Sequence, residues 1–129
     1  AQIDVLEPGH LYGYGICNVI PHMVKHNAPN CGWKIWLDGR KLFYCTDMND
    51  LNGISAPNYD LYMVEANYDD KEIQAKIAEK KLTGEYIYEK RVLRDHMSVA
   101  KVNDWLYANM GPKSAYIYMH CHQDKEDAT

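Results

Sequence analysis

No apolar run in this chain approaches the roughly 20 residues a membrane-crossing helix needs, and the opening "AQIDVLEPGH" lacks the basic-then-apolar pattern of a secretory leader. These two absences point to a soluble, cytoplasmic protein with no membrane partner. There is no CxxC pair among the four cysteines, Cys17, Cys31, Cys45 and Cys121, and three of them fall in segments that read as regular structure. Reduced thiols are therefore expected, not a disulfide framework. Positive charge is not in excess: the net charge is -4, which gives no electrostatic footprint for tight nonspecific nucleic-acid binding and favours small partners. Internal repeats and low-complexity tracts are lacking too. The chain starts at Ala1, not Met, which points to a processed, cleaved or excised piece, and only the final "QDKEDAT" reads as a frayed tail. Phenylalanine is nearly missing, with one Phe against eleven Tyr. Tyrosine must supply the aromatic packing, its ring filling a strand face while its hydroxyl reaches the rim.

What is present suits one domain. The 129 residues are 47% apolar and 25% charged, an ordinary globular balance that excludes the disorder signature. "YGICNVIPHMV" and "WKIWL" are β-branched and aromatic, and the Asp38-Gly39 pair that separates "WKIWL" from "KLFYC" predicts a tight hairpin. "YDLYMVEAN", residues 59–67, reads as a strand of the sheet interior. One helix is predicted from the capping pattern of Asp69 and Glu72, with Ile73, Ile77 and Ala78 on one face, Leu82 near its end and Gly84 after it. "GEYIYEKRVL" reads as a connector. A second helix starts at the N-cap Ser98, buries Val99, Val102, Leu106 and Met110, and stops at Gly111-Pro112. "SAYIYMH" closes the sheet. The fold class is therefore α/β, a mixed sheet with helices on one face.

On that map the chemistry-bearing residues fall at element ends, where the backbone is rigid and the tip is open. His26 follows the first long strand, Asp47 closes "LFYCTD", Glu65 closes "LYMVE", His96 precedes a helix cap, and His120 closes "AYIYMH". Converging imidazoles and carboxylates suit zinc, manganese or iron better than calcium or magnesium. Ordinary structural roles remain open for each. Asp47 reads equally as a turn-former, Glu65 as a partner of Arg91 or Arg94, and His96 as a helix-start residue without a ligand. His10, His22 and His122 read as surface or supporting residues, with His122 an alternative to His120.

The ordered segments "HNAPNCGWKI", "KLFYCTD", "YDLYMVEANYD", "DHMS" and "AYIYMH" resemble the C-terminal half of the metallo-β-lactamase fold, most closely its tRNase Z-like and phage-type branches. The resemblance covers nearly the whole chain. It implies half of an αββα sandwich, with residues 1–129 as a single domain-half of a larger unit. It also implies that His26, Asp47 and His120 are metal ligands, with Asp47 bridging, and that Glu65 and His96 handle protons. The cofactor it implies is zinc or another divalent transition metal. The activity it implies is hydrolysis of a small-molecule or nucleotide-type ester, for instance a phosphodiester.

The family's HxHxDH motif is missing; the only HxH is His120-Cys121-His122, with no Asp-His after it. An incomplete ligand set and an uncovered sheet face follow from that. The chain alone is expected to be inactive and either to retain the N-terminal half of the fold or to pair with a second copy. The alternative reading is a non-catalytic half-fold that self-associates as a structural or binding module.

Overall fold

In the computed structural model, which describes residues 2–121, Asp38 and Gly39 take φ of 50° and 73°. Both central residues of the turn are left-handed, the geometry that matches the natural twist of the strands it joins. The elements are β1 (Tyr12–Gly13), β2 (Cys17–Val24), β3 (Asn30–Leu37), β4 (Arg40–Cys45), β5 (Leu61–Glu65), α1 (Asp70–Thr83), α2 (Glu89–Asp95), α3 (Val99–Asn109) and β6 (Ala115–Met119). They build one six-stranded sheet whose spatial order is its chain order. Strands β1 to β4 pair antiparallel, whereas β4, β5 and β6 run parallel. Because β4 and β6 flank β5 in parallel, the residues closing all three gather at one edge. His122 and the "QDKEDAT" tail lie outside the described residues.

Pro21 sits inside β2, where a missing N–H normally breaks a ladder. Its carbonyl accepts from Gly9 N at 2.7 Å on the flank away from β3, so the proline faces the short β1 side and no β3 bond is lost.

Alternation along the strands divides the sheet into two unlike faces. One carries Phe43, Cys45, Tyr62 and Val64, which join Val102 and Leu106 of α3 in the main core. Phe43, Tyr62 and Val64 are essentially fully buried, each contributing roughly 1.5–3 kcal/mol by area. Truncating Phe43, whose ring lies 4.8 Å from that of Trp105, to Ala would cost about 3–5 kcal/mol. The Tyr62 hydroxyl does not reach the rim: it is buried, donating to Ala56 O and accepting from Tyr59 N. The opposite face presents Val19, Trp33, Ile35, Leu42, Tyr44, Met63 and Ile117, placed together by the pairing register. None of these belongs to either core cluster, and Ile117 is 48% exposed.

Both predicted caps form. Asp69 accepts from Lys71 N and Glu72 N, Ser98 accepts from Lys101 N, and Gly84 closes α1 in the left-handed conformation. Two expectations need correction. On α1 only Ile73 and Ile77 are buried, whereas Ala78, expected on the same face, is exposed; Leu82 near the end is 90% exposed. The connector "GEYIYEKRVL" contains the start of α2, which runs on to Asp95 and is tied to α1 by Lys80 Nζ at 2.6 and 2.9 Å from the Glu89 carboxylate oxygens.

Candidate metal centre at the strand ends

Glu65 ends β5 with 0% exposure, between the ends of β4 and β6. Its Oε1 lies 2.7 Å from His96 Nδ1 and 2.5 Å from His120 Nδ1, and its Oε2 is 3.4 Å from Met48 N. A carboxylate only accepts, so with Glu65 ionised each Nδ1 carries its hydrogen and each neutral ring keeps a lone pair on Nε2. This is how a carboxylate behind metal-binding imidazoles fixes tautomer and orientation. His120 Nδ1 also lies 3.2 Å from Asp47 Oδ1.

Asp47, Glu65, His96 and His120 each offer a ligand atom, and these atoms all lie within 4.8 Å of one another. With Glu65 engaged behind the imidazoles, the Asp47 carboxylate and the ring nitrogens form a donor set of borderline hardness, which fits a divalent transition ion. Three of the four, Asp47, His96 and His120, line a cleft of about 330 Å³ together with His26, Arg91 and Asp95.

Asp47 and His120 leave their strands with φ of 55° and 51°. Left-handed backbone costs a non-glycine residue of order 1 kcal/mol or more, and it persists only when surroundings hold it. Two asparagine amides supply that hold. Asn30 Nδ2 donates to Thr46 O at 2.7 Å and Asp47 O at 3.0 Å, and Asn67 Nδ2 donates to His120 O at 2.9 Å. Neither asparagine was singled out from sequence. The available signal was their position inside "PNCGW" and "EANYD", beside residues that were.

His26, expected as a ligand, stands outside the group of four. Its ring centroid is 5.7 Å from that of His96, and its Nδ1 lies 3.0 Å from Asp95 O, which leaves only Nε2 as a donor atom. Glu65 pairs with imidazoles and not with Arg94, which forks onto Asp95 at 3.0 and 3.1 Å. Hydrogen bonds from Arg94 hold the Asp95 carboxyl below the usual range, against some opposing burial.

His22 lies away from the cleft, stacked on Phe43 at 5.5 Å, with both ring nitrogens buried and unpartnered. Its space exists because residue 32 is glycine: a Cβ there would meet His22 Cε1 at 2.7 Å and Cys45 Sγ at 3.0 Å. Burial, and then the nearby Lys34 charge, push the His22 pKa down to about 4.

No family model matches the sequence, and no curated protein matches it. Among solved structures the chain is similar to the metallo-beta-lactamase fold protein YhfI from Bacillus subtilis, with a TM-score of 0.61 and 14% identity. The match covers 96% of this chain and 45% of YhfI, so the chain spans less than half of that protein's length. The likeness establishes the fold: a mixed α/β sheet with helices, half of a metallo-β-lactamase-like sandwich.

Proposed function

We propose that this chain is the C-terminal half of a metal-dependent hydrolase of the tRNase Z-like and phage-type metallo-β-lactamase branch, acting on a phosphodiester or another small-molecule or nucleotide-type ester. The observation that carries the reading is the convergence of Asp47, Glu65, His96 and His120 at the ends of three parallel strands. Asp47 and His120 would hold zinc or another divalent transition ion, with His26 Nε2 reaching in from the cleft wall. The bound ion would supply Lewis acidity and an activated water. Glu65 orients His96, and the pair holds a proton at the cleft for the leaving group.

The partner is the N-terminal half of the same fold, seated on the sheet face of Trp33, Ile35, Leu42, Tyr44 and Met63. At roughly 25 cal/mol per Å², a few hundred Å² of such surface drives association by several kcal/mol. That face equally supports the second reading, a non-catalytic module paired with another copy of itself.

The test is phosphodiesterase assay and sedimentation of the chain, alone and mixed with a half-fold bearing HxHxDH. The hydrolase reading expects no turnover alone and turnover in the mixture that Asp47→Ala removes. A tight self-dimer that ignores the second half and stays inactive supports the module. Robust turnover by the chain alone, lost in Asp47→Ala, would show that the absent motif is dispensable.

A further inference from the structure

The two edges of the sheet, β1 and β6, are unlike. Strand β1 has only Tyr12 and Gly13, too short to template another strand, whereas β6 offers Ala115–Met119 with no proline and no charged side chain. Ala115 N donates to Asp60 O, and Met119 O accepts from Ala66 N. In this parallel pairing Ala115, Ile117 and Met119 therefore turn their main-chain groups towards β5, and those of Tyr116 and Tyr118 point outward. Among the described residues β6 pairs with β5 alone, so that outward row is open.

Exposed side chains frame the row. Tyr116 is 49% exposed and Ile117 is 48% exposed, on opposite faces of the strand, and the rings of Tyr116 and Tyr118 lie 5.1 Å apart. The Tyr118 hydroxyl donates to Asn103 Oδ1 at 2.5 Å, which brings that side of α3 up to the edge. Tyr107, the next turn along the same side, is 92% exposed. Tyrosine is among the side chains that carry most binding energy at interfaces.

What this edge fits is itself. An antiparallel copy centred on Ile117 sets Tyr116 opposite the partner's Tyr118, and each such pair exchanges both N–H···O bonds. Ile117 then meets the partner's Ile117 as a non-hydrogen-bonded pair, where side chains approach most closely. Aromatic faces aromatic, aliphatic faces aliphatic, and the uncharged strand sets no like charges opposite one another. The contact is the same patch on both copies, and the short β1 edge offers no second site, so it closes as a dimer.

We infer that β6 is a homodimerisation edge, on which a second copy of this chain adds antiparallel about Ile117 and continues the sheet across a two-fold axis. This surface is separate from the sheet face of Trp33 and Tyr44, so it remains open when that face is covered, and the inference does not rest on the hydrolase reading. A strand this short makes a small interface, and the dimer is weak and concentration-dependent.

Sedimentation of the 129-residue chain under chelator over a range of concentrations tests it, in a Tyr44→Lys background that charges the bare sheet face. A monomer–dimer equilibrium is expected. Tyr116→Pro removes an outward N–H and keeps the bonds to β5, and Ile117→Lys sets like charges across the axis. Each should weaken the dimer at least tenfold with the circular dichroism spectrum unchanged. Under mild oxidation Ile117→Cys should form a disulfide between the two introduced thiols, located by peptide mapping, because α-carbons paired there lie about 4.5 Å apart. Ala115→Cys, whose counterpart is offset along the partner strand, should not. A chain that stays monomeric at every concentration, a dimer indifferent to both edge variants, or equal cross-linking of the two cysteine variants overturns the inference. Because the experiment uses no metal and no ester, its failure leaves the hydrolase reading untouched, and the reverse also holds.

Discussion

Asp47 and His120 close two strands that do not touch, yet their side chains meet at 3.2 Å across the end of β5. Each bends through a left-handed residue, and each bend is clamped by an asparagine amide. A pair held at such conformational cost is expected to serve a ligand. Asp47→Ala and His120→Ala should each lower zinc affinity by at least about tenfold, measured by competition with a chromophoric chelator. Unchanged affinity in both variants would remove the metal reading.

Glu65→Gln tests the tautomer argument. Both Nδ1 atoms meet the same oxygen, Oε1, while Oε2 faces Met48 N. A glutamine keeps both rings as Nδ1–H donors only with its amide NH2 turned to Met48 N, donor against donor; turned the other way it forces both rings to carry their protons on Nε2. Either way the rings lose the carboxylate charge behind them, so zinc affinity should fall about 10–100-fold with the fold retained, and nitrogen-15 NMR should show the two rings keeping or changing tautomer together. Unchanged zinc affinity, or a tautomer change in one ring alone, would contradict the assignment.

His22 sets an acid limit on stability. Its folded pKa, about 4, lies below its ordinary value of 6.5, so between those pH values the unfolded chain binds a proton that the folded chain refuses. Stability from this group is fully present above about pH 6.5 and is lost as pH falls through the window toward 4. Urea midpoints at pH 5 and pH 7.5 should differ less in His22→Leu than in the parent. An identical acid loss in both proteins would place its origin elsewhere.

Lys80 and Glu89 join α1 to α2 where Glu89 is only 3% exposed. Removing one member strands the other, so Lys80→Met should cost about 3–5 kcal/mol in urea denaturation. The double variant Lys80→Met, Glu89→Leu should recover most of that loss, since a packed apolar pair leaves no buried charge. A double variant as unstable as the single would mean that the geometry, and not the charge, is what matters.

Local chemistry was legible wherever a short motif decides the backbone. Asp38-Gly39, the Asp69 and Ser98 caps and Gly84 each act through neighbours within a few residues. Helix α2 was missed because its N-cap, Tyr88, makes no side-chain capping bond and its main ion pair reaches back to Lys80 on another helix. At the site, the placement of acids and histidines at strand ends could be read, because end position is a property of one segment. Which of them meet depends on parallel pairing of β4, β5 and β6, which no single segment encodes. His26 lies two strand positions away from β4, after β2, and that distance explains why it reaches the cleft wall but not the central group.

A sheet whose spatial order repeats its chain order can be assembled from one end, each new strand adding beside the one just made. Only the antiparallel pairs are local, so the hairpins of β2, β3 and β4 can form early, whereas the parallel pairing of β5 with β6 joins Leu61 to Ala115 across three helices and comes late. The metal centre comes late with it. Asp47 is made early, but Glu65 waits for β5 and His120 for β6, the last strand. Binding competence therefore waits for β6, so a chain cut short before Ala115 would keep β1 to β5 and lack His120.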